Sequence, residues 1–205
     1  MDTRPFSQAC ENNKDPILVV LREELRGVGA VLELGSGTGQ HARYFVEQIP
    51  DLCWQPTDVA ENLPGIESWR EGFRGKRLPP PLRLDVRDEH WGVVIPAAIF
   101  TANSLHIMAW SAVEALFHYL GQHAPNGNRL CIYGPFNYGG KYTSESNARF
   151  DQWLAQRDPA SAIRDFEAVN ALAGRAGYLL HADHAMPANN RLLVWHQSLE
   201  TGATV

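Results

Sequence analysis

Three glycines at alternate positions, Gly35, Gly37 and Gly39, follow an apolar run at 30–34 and precede a helical pattern that starts near Gln40. Nothing else in the chain narrows its fold as far. A five-residue apolar run stopped by glycine predicts a buried strand. Alternating glycines let the backbone bend sharply and leave the bend bare of side chains, so a ligand can come close. The helix that follows offers free N–H groups to polar ligand atoms. Strand, bend and helix in this order belong to open α/β sheets, which bind ligands beyond the carboxyl ends of their strands. Glu33 stands there, two residues before the first glycine.

Two cofactor frames compete for the bend. The dinucleotide fingerprint needs a small residue three positions after its second glycine. Counted from Gly35 that position is Gln40, which is not small; counted from Gly37 it is Ala42, and the frame Gly37-Thr-Gly-Gln-His-Ala42 is admitted. The glycines alone therefore leave NAD(P) open. Glu33 favours the other frame, because a carboxylate repels a pyrophosphate and attracts a cationic sulfonium. The pattern acid-x-Gly-x-Gly-x-Gly resembles the first motif of class I methyltransferases.

At 205 residues the chain is expected to be a single domain, residues 1–28 forming an N-terminal lid and helix and residues 29–205 the core. Net charge is −5 and no Lys/Arg cluster interrupts it, which argues against a nucleic-acid partner. Cys10, Cys53 and Cys131 are scattered, with no C-x-x-C, so neither a disulfide framework nor a metal site is expected. Cys53 and Cys131 read as buried reduced thiols. Residues 1–13 are polar and unlike a secretory leader, and no apolar run approaches a membrane span. These features predict a cytoplasmic protein.

Helical and strand-like segments alternate, which predicts a doubly wound, mostly parallel sheet with helices on both faces. Asp15-Pro16 predicts the start of the first helix, which runs to about Arg26. Strands are expected over 30–34, 52–57, 82–85, 97–102 and 129–133, and helices over 40–48, 62–73, 111–123, 144–157 and 164–176. Segments 178–183 and 192–197 read as a terminal antiparallel pair, which brings the strand count to seven.

Asp58 follows Gly39 by nineteen residues, at the end of the second strand. An acid at that distance accepts hydrogen bonds from ribose hydroxyls, in NAD and S-adenosylmethionine sites alike. Asp85 has two readings, as a partner of an adenine amino group or as the cap of the turn after it; Val86 is placed to pack on an adenine. His106 is the residue after the fourth strand whose ordinary pKa suits proton removal near neutrality. Its other reading is a histidine packed in place. Asn103 is taken as a cofactor or substrate contact. The segment lacks the Asn/Asp-Pro-Pro-aromatic signature that grips planar amines, a second mark against nucleic acid. The polar loop 134–147 and the link 186–190 read as walls of an acceptor pocket or as ordinary turns. Segment 4–16 reads as a lid that excludes water from a reacting centre, or as a tail.

Together these pieces resemble the domain-of-unknown-function 938 family, related to the animal methyltransferase-like protein 26. The resemblance runs from about Arg4 to His196. It rests on Ser7 to Pro16 (including Glu11-Asn-Asn-Lys-Asp-Pro16), Leu32 to His41, Asn103 with His106 and Trp110, Gly134-Pro-Phe136, Ser144-Glu-Ser-Asn147 and Met186-Pro-Ala-Asn-Asn190. It implies a Rossmann-like class I methyltransferase fold and S-adenosyl-L-methionine as cofactor, and it supplies no substrate. On this view Glu33, Gly35, Gly37, Gly39, Asp58, Asp85, Val86 and Asn103 form the cofactor set. His106 acts as base toward an O, S or N acceptor on a small molecule. Asn12, Lys14, Trp110, Phe136, Asn147, Asn189 and Asn190 form the candidate acceptor set. Two alternatives stand beside it: a non-catalytic S-adenosylmethionine-binding or scaffold protein, and an NAD(P)-binding enzyme in the Gly37 frame.

Overall fold

A computed structural model describes residues 4–198. The chain divides into two compact units, one ending at Ala102 and the other beginning at Asn103.

The first unit is a parallel sheet with helices. Its elements are α1 (Gln8–Glu24), β1 (Ala30–Leu34), α2 (Gln40–Gln48), β2 (Cys53–Asp58), α3 (Leu63–Arg70), β3 (Leu82–Arg83) and β4 (Ala98–Ala102). β1 pairs in parallel with β2, Glu33 facing Pro56, and with β4, Leu32 facing Ile99. β3 extends the sheet beyond β2, with Asp58 facing Arg83. The apolar run that predicted β1 is buried from Val31 onward. Phe45 of α2, Trp54 of β2 and Phe100 of β4 meet at ring-centroid distances of 5.2–5.6 Å and are fully buried. Rings of this size contribute roughly 1.5–3 kcal/mol each on burial. This aromatic knot fixes α2, and with it the glycine bend, against the strand ends.

The first helix departs from the expectation. It starts at Gln8, not at Asp15-Pro16, and Pro16 lies in its interior. Ser7 caps it by accepting from the Cys10 amide at 3.3 Å. The helix accepts an interior proline, normally costly, because tertiary bonds hold its first two turns. Ser7 N–H donates to Gln40 Oε1 at 2.5 Å, and His41 Nε2 meets Asn13 Oδ1 at 2.7 Å. β3 is also shorter than expected, ending at Arg83.

The second unit contains α4 (Trp110–His123), β5 (Arg129–Asn137), α5 (Glu145–Arg157), β6 (Arg164–Asp165), α6 (Phe166–Arg175), β7 (Tyr178–Met186) and β8 (Asn190–Gln197). β8 runs antiparallel to both β5 and β7, as the terminal pair predicted. β5 continues four residues past the expected end, carrying Pro135 opposite Asn190 at the last rung of the ladder. β6 was not expected: its two residues pair in parallel with Phe136 and Asn137, and the helix begins only at Phe166. It brings the strands to eight among the described residues. Leu130, Ile132, Leu192, Val194 and Trp195 fill the interior. The chain is thus α/β, with a mostly parallel sheet closed by antiparallel terminal strands. Cys131 is buried, while Cys10 and Cys53 are half-buried, all three as free thiols. No helix among the described residues is long and apolar enough to cross a membrane.

Candidate functional site

The carboxyl ends of β1 and β2 build the first constellation. Two threonines tie the strand ends together: Thr57 Oγ1 donates to Glu33 O at 2.6 Å and Thr101 Oγ1 to Leu34 O at 2.8 Å. The chain then enters the bend with positive φ at Gly35 (68°), Gly37 (57°) and Gly39 (89°). Two of these glycines are required for different reasons. At Gly39 a Cβ would sit 2.9 Å from Ile66 Cα, so helix α3 packs where a side chain would be. At Gly37 a Cβ would meet nothing within 4 Å, so that part of the bend is open, as a ligand cradle must be.

Asp58 ends β2 beside this opening. Its Oδ2 accepts from Gly37 N–H at 2.7 Å, and its Oδ1 accepts from Val59 N–H at 2.7 Å and Asn62 Nδ2 at 2.9 Å. The carboxylate therefore stitches the bend to the second strand. Three donors leave part of its acceptor capacity, about four lone-pair sites, for hydroxyl groups.

Glu33 lies under the bend and is 1% exposed. Its Oε2 accepts from Ser36 Oγ at 2.7 Å and from Trp54 Nε1 at 3.1 Å. Burial pushes its carboxyl up to about 7, the two donors oppose that rise, and the charge of Asp58 adds to it. The residue is therefore only partly ionised at neutral pH. A full negative charge beside the bend was the basis for preferring a sulfonium to a pyrophosphate, and burial removes a good part of that charge.

Asp85 and Val86 lie past β3, where Leu84 N–H donates to Asp58 O at 2.9 Å. Asp85 forms a two-pronged pair with Arg87 and accepts the Arg87 amide at 3.0 Å, which holds its carboxyl down at about 2. This is the capped turn of its second reading, with the carboxylate ionised. On α1, Asn12 and Lys14 engage Gln8 and Glu11 of their own helix. The residue that turns inward is their neighbour Asn13, buried against His41. His41 is held neutral, its pKa pushed down to about 4 by burial and then by Lys14. Asn13, Ser36 and His41 lie inside the segments that carry the family resemblance but were given no role there, and Trp54 lies in no motif.

The second unit builds another constellation. Asn103 opens it in the left-handed region, φ 58°, with its N–H donating to Tyr133 O at 2.9 Å. His106 is 5% exposed. Its ring meets Phe150 of α5 edge-on at 5.4 Å, and a Cβ at Gly134 would come within 3.5 Å of its Nδ1. Burial lowers its pKa to about 4, with Arg164 adding to the shift, so the imidazole is neutral and a proton acceptor across the physiological range. Trp110 starts α4, with the Arg164 guanidinium 5.8 Å over its ring. Phe136 is buried in β5.

Asn147 of the first turn of α5 is brought against the 187–189 turn, which carries Asn189 and leads into Asn190 at the start of β8. Ser144 caps α5 by accepting from the Asn147 amide at 3.1 Å, and Asn147 Nδ2 donates to Thr143 Oγ1 at 2.9 Å and Asn189 O at 3.3 Å. Asn189 Nδ2 returns a bond to Ser146 Oγ at 3.3 Å, and Asn190 Nδ2 closes the turn onto Pro187 O at 3.2 Å. Ala188 and Asn189 both have positive φ, 56° and 59°. Two adjacent non-glycine residues in that region are strained, and such strain collects at functional loops.

The arrangement is that of a Rossmann-like class I methyltransferase fold, and known structures share it. An O-methyltransferase family protein from Burkholderia thailandensis superimposes with a TM-score of 0.77 at 14% identity, over 91% of this chain and 57% of that one. Human N-acetylserotonin methyltransferase in complex with SAM gives 0.76 at 12% identity, over 94% and 53%. A putative O-methyltransferase from Nostoc punctiforme gives 0.77 at 15%, over 92% and 56%. The chain thus spans little more than half the length of these structures, and at such identities the likeness is one of fold. The chain itself belongs to the family described as protein of unknown function (DUF938), whose model matches residues 4–197.

Proposed function

We propose that the protein transfers a methyl group from S-adenosylmethionine to an O, S or N atom of a small molecule. The observation that carries the proposal is the bend bare at Gly37, bonded through its own N–H to the acid that ends β2. Bound there, the cofactor supplies an electrophilic methyl. Gly37 would let its backbone-facing atoms come close while Gly39 lets α3 pack against the bend, Asp58 would accept from ribose hydroxyls, and the partly ionised Glu33 beneath the bend would favour a cationic sulfonium. Asn103 and Val86 complete the proposed cofactor set, while Asp85 serves as the cap of its own turn through Arg87. Neutral His106 takes the proton that an acceptor O–H, S–H or N–H must lose, and Asn147, Asn189, Asn190 and Trp110 orient that acceptor. Positioning supplies most of the rate in such an in-line displacement.

Calorimetry of the full chain with S-adenosylhomocysteine is the direct test. Micromolar binding with no heat from NAD⁺ or NADP⁺ is expected; silence toward S-adenosylhomocysteine at millimolar concentration overturns the proposal. One observation favours a second reading, a cofactor-binding protein without turnover: His106 is buried and weakly basic, as a packed histidine would be. Cofactor binding with no methyl transfer to any acceptor in a metabolite extract would select that reading.

A further inference from the structure

Four consecutive backbone carbonyls, those of residues 105–108, are each captured by one short segment, residues 161–164. Arg164 Nε donates to Leu105 O at 3.0 Å, and Ala162 N–H donates to His106 O at 3.1 Å. Ser161 Oγ donates to Ile107 O at 2.7 Å, and Arg164 Nη2 donates to Met108 O at 2.5 Å. Arg164 thus grips the loop on both sides of His106 with one planar fork, which no lysine reproduces. The segment is anchored in turn. Arg164 pairs with Phe136 in the β6–β5 ladder, its Nη2 also holds Ala160 O at 2.9 Å, and Ile163 N–H donates to Asp151 Oδ1 at 2.5 Å. Every carbonyl of the stretch goes to one partner segment, and the stretch contains the candidate base.

We infer that Arg164, assisted by Ser161, is a positioning residue that sets the backbone of 105–108 and so presents the His106 imidazole. The inference rests on His106 being the base proposed above. A loop of this kind has no helix or strand of its own to hold it, so the geometry of its histidine depends on partners from elsewhere. The charged groups that face this region are Arg164 on β6 and Asp151 on α5. The guanidinium lies near enough to His106 to disfavour a second positive charge.

Imidazole resonances of His106, followed through a pH titration of the full-length protein, provide a measurement that needs no methyl acceptor. In Arg164→Gln the His106 midpoint is expected to rise and hydrogen exchange at the Ile107 and Met108 amides to speed at least tenfold, while S-adenosylhomocysteine affinity stays within about twofold. An unchanged midpoint or wild-type exchange at those amides in the folded variant overturns the inference, since loss of the charge alone moves only the midpoint and loss of the grip is what frees the loop. Should Arg164→Gln fail to fold, Ser161→Ala and Arg164→Lys decide. Arg164→Lys is expected to keep the low midpoint, and both to speed hydrogen exchange at the Ile107 and Met108 amides at least tenfold; wild-type protection in both overturns the inference. If the wild type binds no S-adenosylhomocysteine, the methyl-transfer proposal fails by itself and the His106 measurements still judge the clamp.

Discussion

The glycine bend and the His106 loop solve the same problem in different ways. Both place a titratable group where water is excluded, and in both burial opposes the charged form. At Glu33 it raises the carboxyl to about 7, and at His106 it lowers the imidazole to about 4. The neighbours then differ. Ser36 and Trp54 donate to Glu33 and defend its charge, whereas Arg164 adds to the penalty on a charged His106. The bend therefore carries a group that titrates near neutrality, and the loop a group that stays neutral. The bend is contiguous, five residues of chain plus one acid at the end of the next strand. The loop is shaped by β5, α5 and the 161–164 segment, up to about sixty residues away in sequence.

Each contrast can be tested, beginning with the largest expected effect. Asp58→Ala removes both a proposed ribose acceptor and the tie to Gly37 N–H. It should weaken S-adenosylhomocysteine binding about 100-fold by calorimetry, since hydrogen bonds to charged groups are worth roughly 1.5–3 kcal/mol each. The His106 titration should not move; if it does, the two regions are not independent. His106→Ala should do the reverse, with cofactor affinity held within about twofold and methyl transfer down by about 10²–10⁴, the usual worth of a general base. Radiolabel transfer into a metabolite extract reads this effect, and unchanged turnover would remove His106 from the chemistry.

Asn13→Ala strands the buried His41 N–H. The expected cost is about 1–3 kcal/mol, or roughly 2–12 °C in Tm for a chain of this length. A calorimetric scan showing no loss would mean that α1 is held by its apolar side alone. An effect of similar size at pH 8, vanishing near pH 4, is expected from Glu33→Gln. The folded carboxyl binds its proton more tightly than the unfolded one, so wild-type stability falls as pH rises from about 4.5 to about 7. The glutamine variant should match wild type near pH 4 and exceed it at pH 8 by on the order of 1–3 kcal/mol. Denaturant midpoints at the two pH values give the answer, and equal gaps at both would place the Glu33 charge elsewhere.

The bend was legible because it is local. An apolar strand, three glycines and an acid nineteen residues on are all short-range patterns, and the backbone conformations they demand are found in place. Pro16 misled, because a proline signals a helix start only where no tertiary bond holds the preceding turns. Asn12 and Lys14 were chosen over Asn13 for a related reason. Which of three adjacent side chains faces inward depends on helix phase, and that phase is set by the contact with His41. β6 was invisible, since two residues of strand have no period to detect.

The amino-acid sequence by itself determined the α/β class, the antiparallel ending, the family and the position of the bend. The class, the ending and the bend are written in hydrophobic period or in glycine spacing, which act over a few residues, and the family in the resemblance of particular residues along the chain. Tertiary structure alone decided that Glu33 is half neutral, that His106 is wholly so, and that Arg164 grips its loop. Those outcomes depend on which groups burial brings within a few ångströms of one another, and separation along the chain carries no record of that distance.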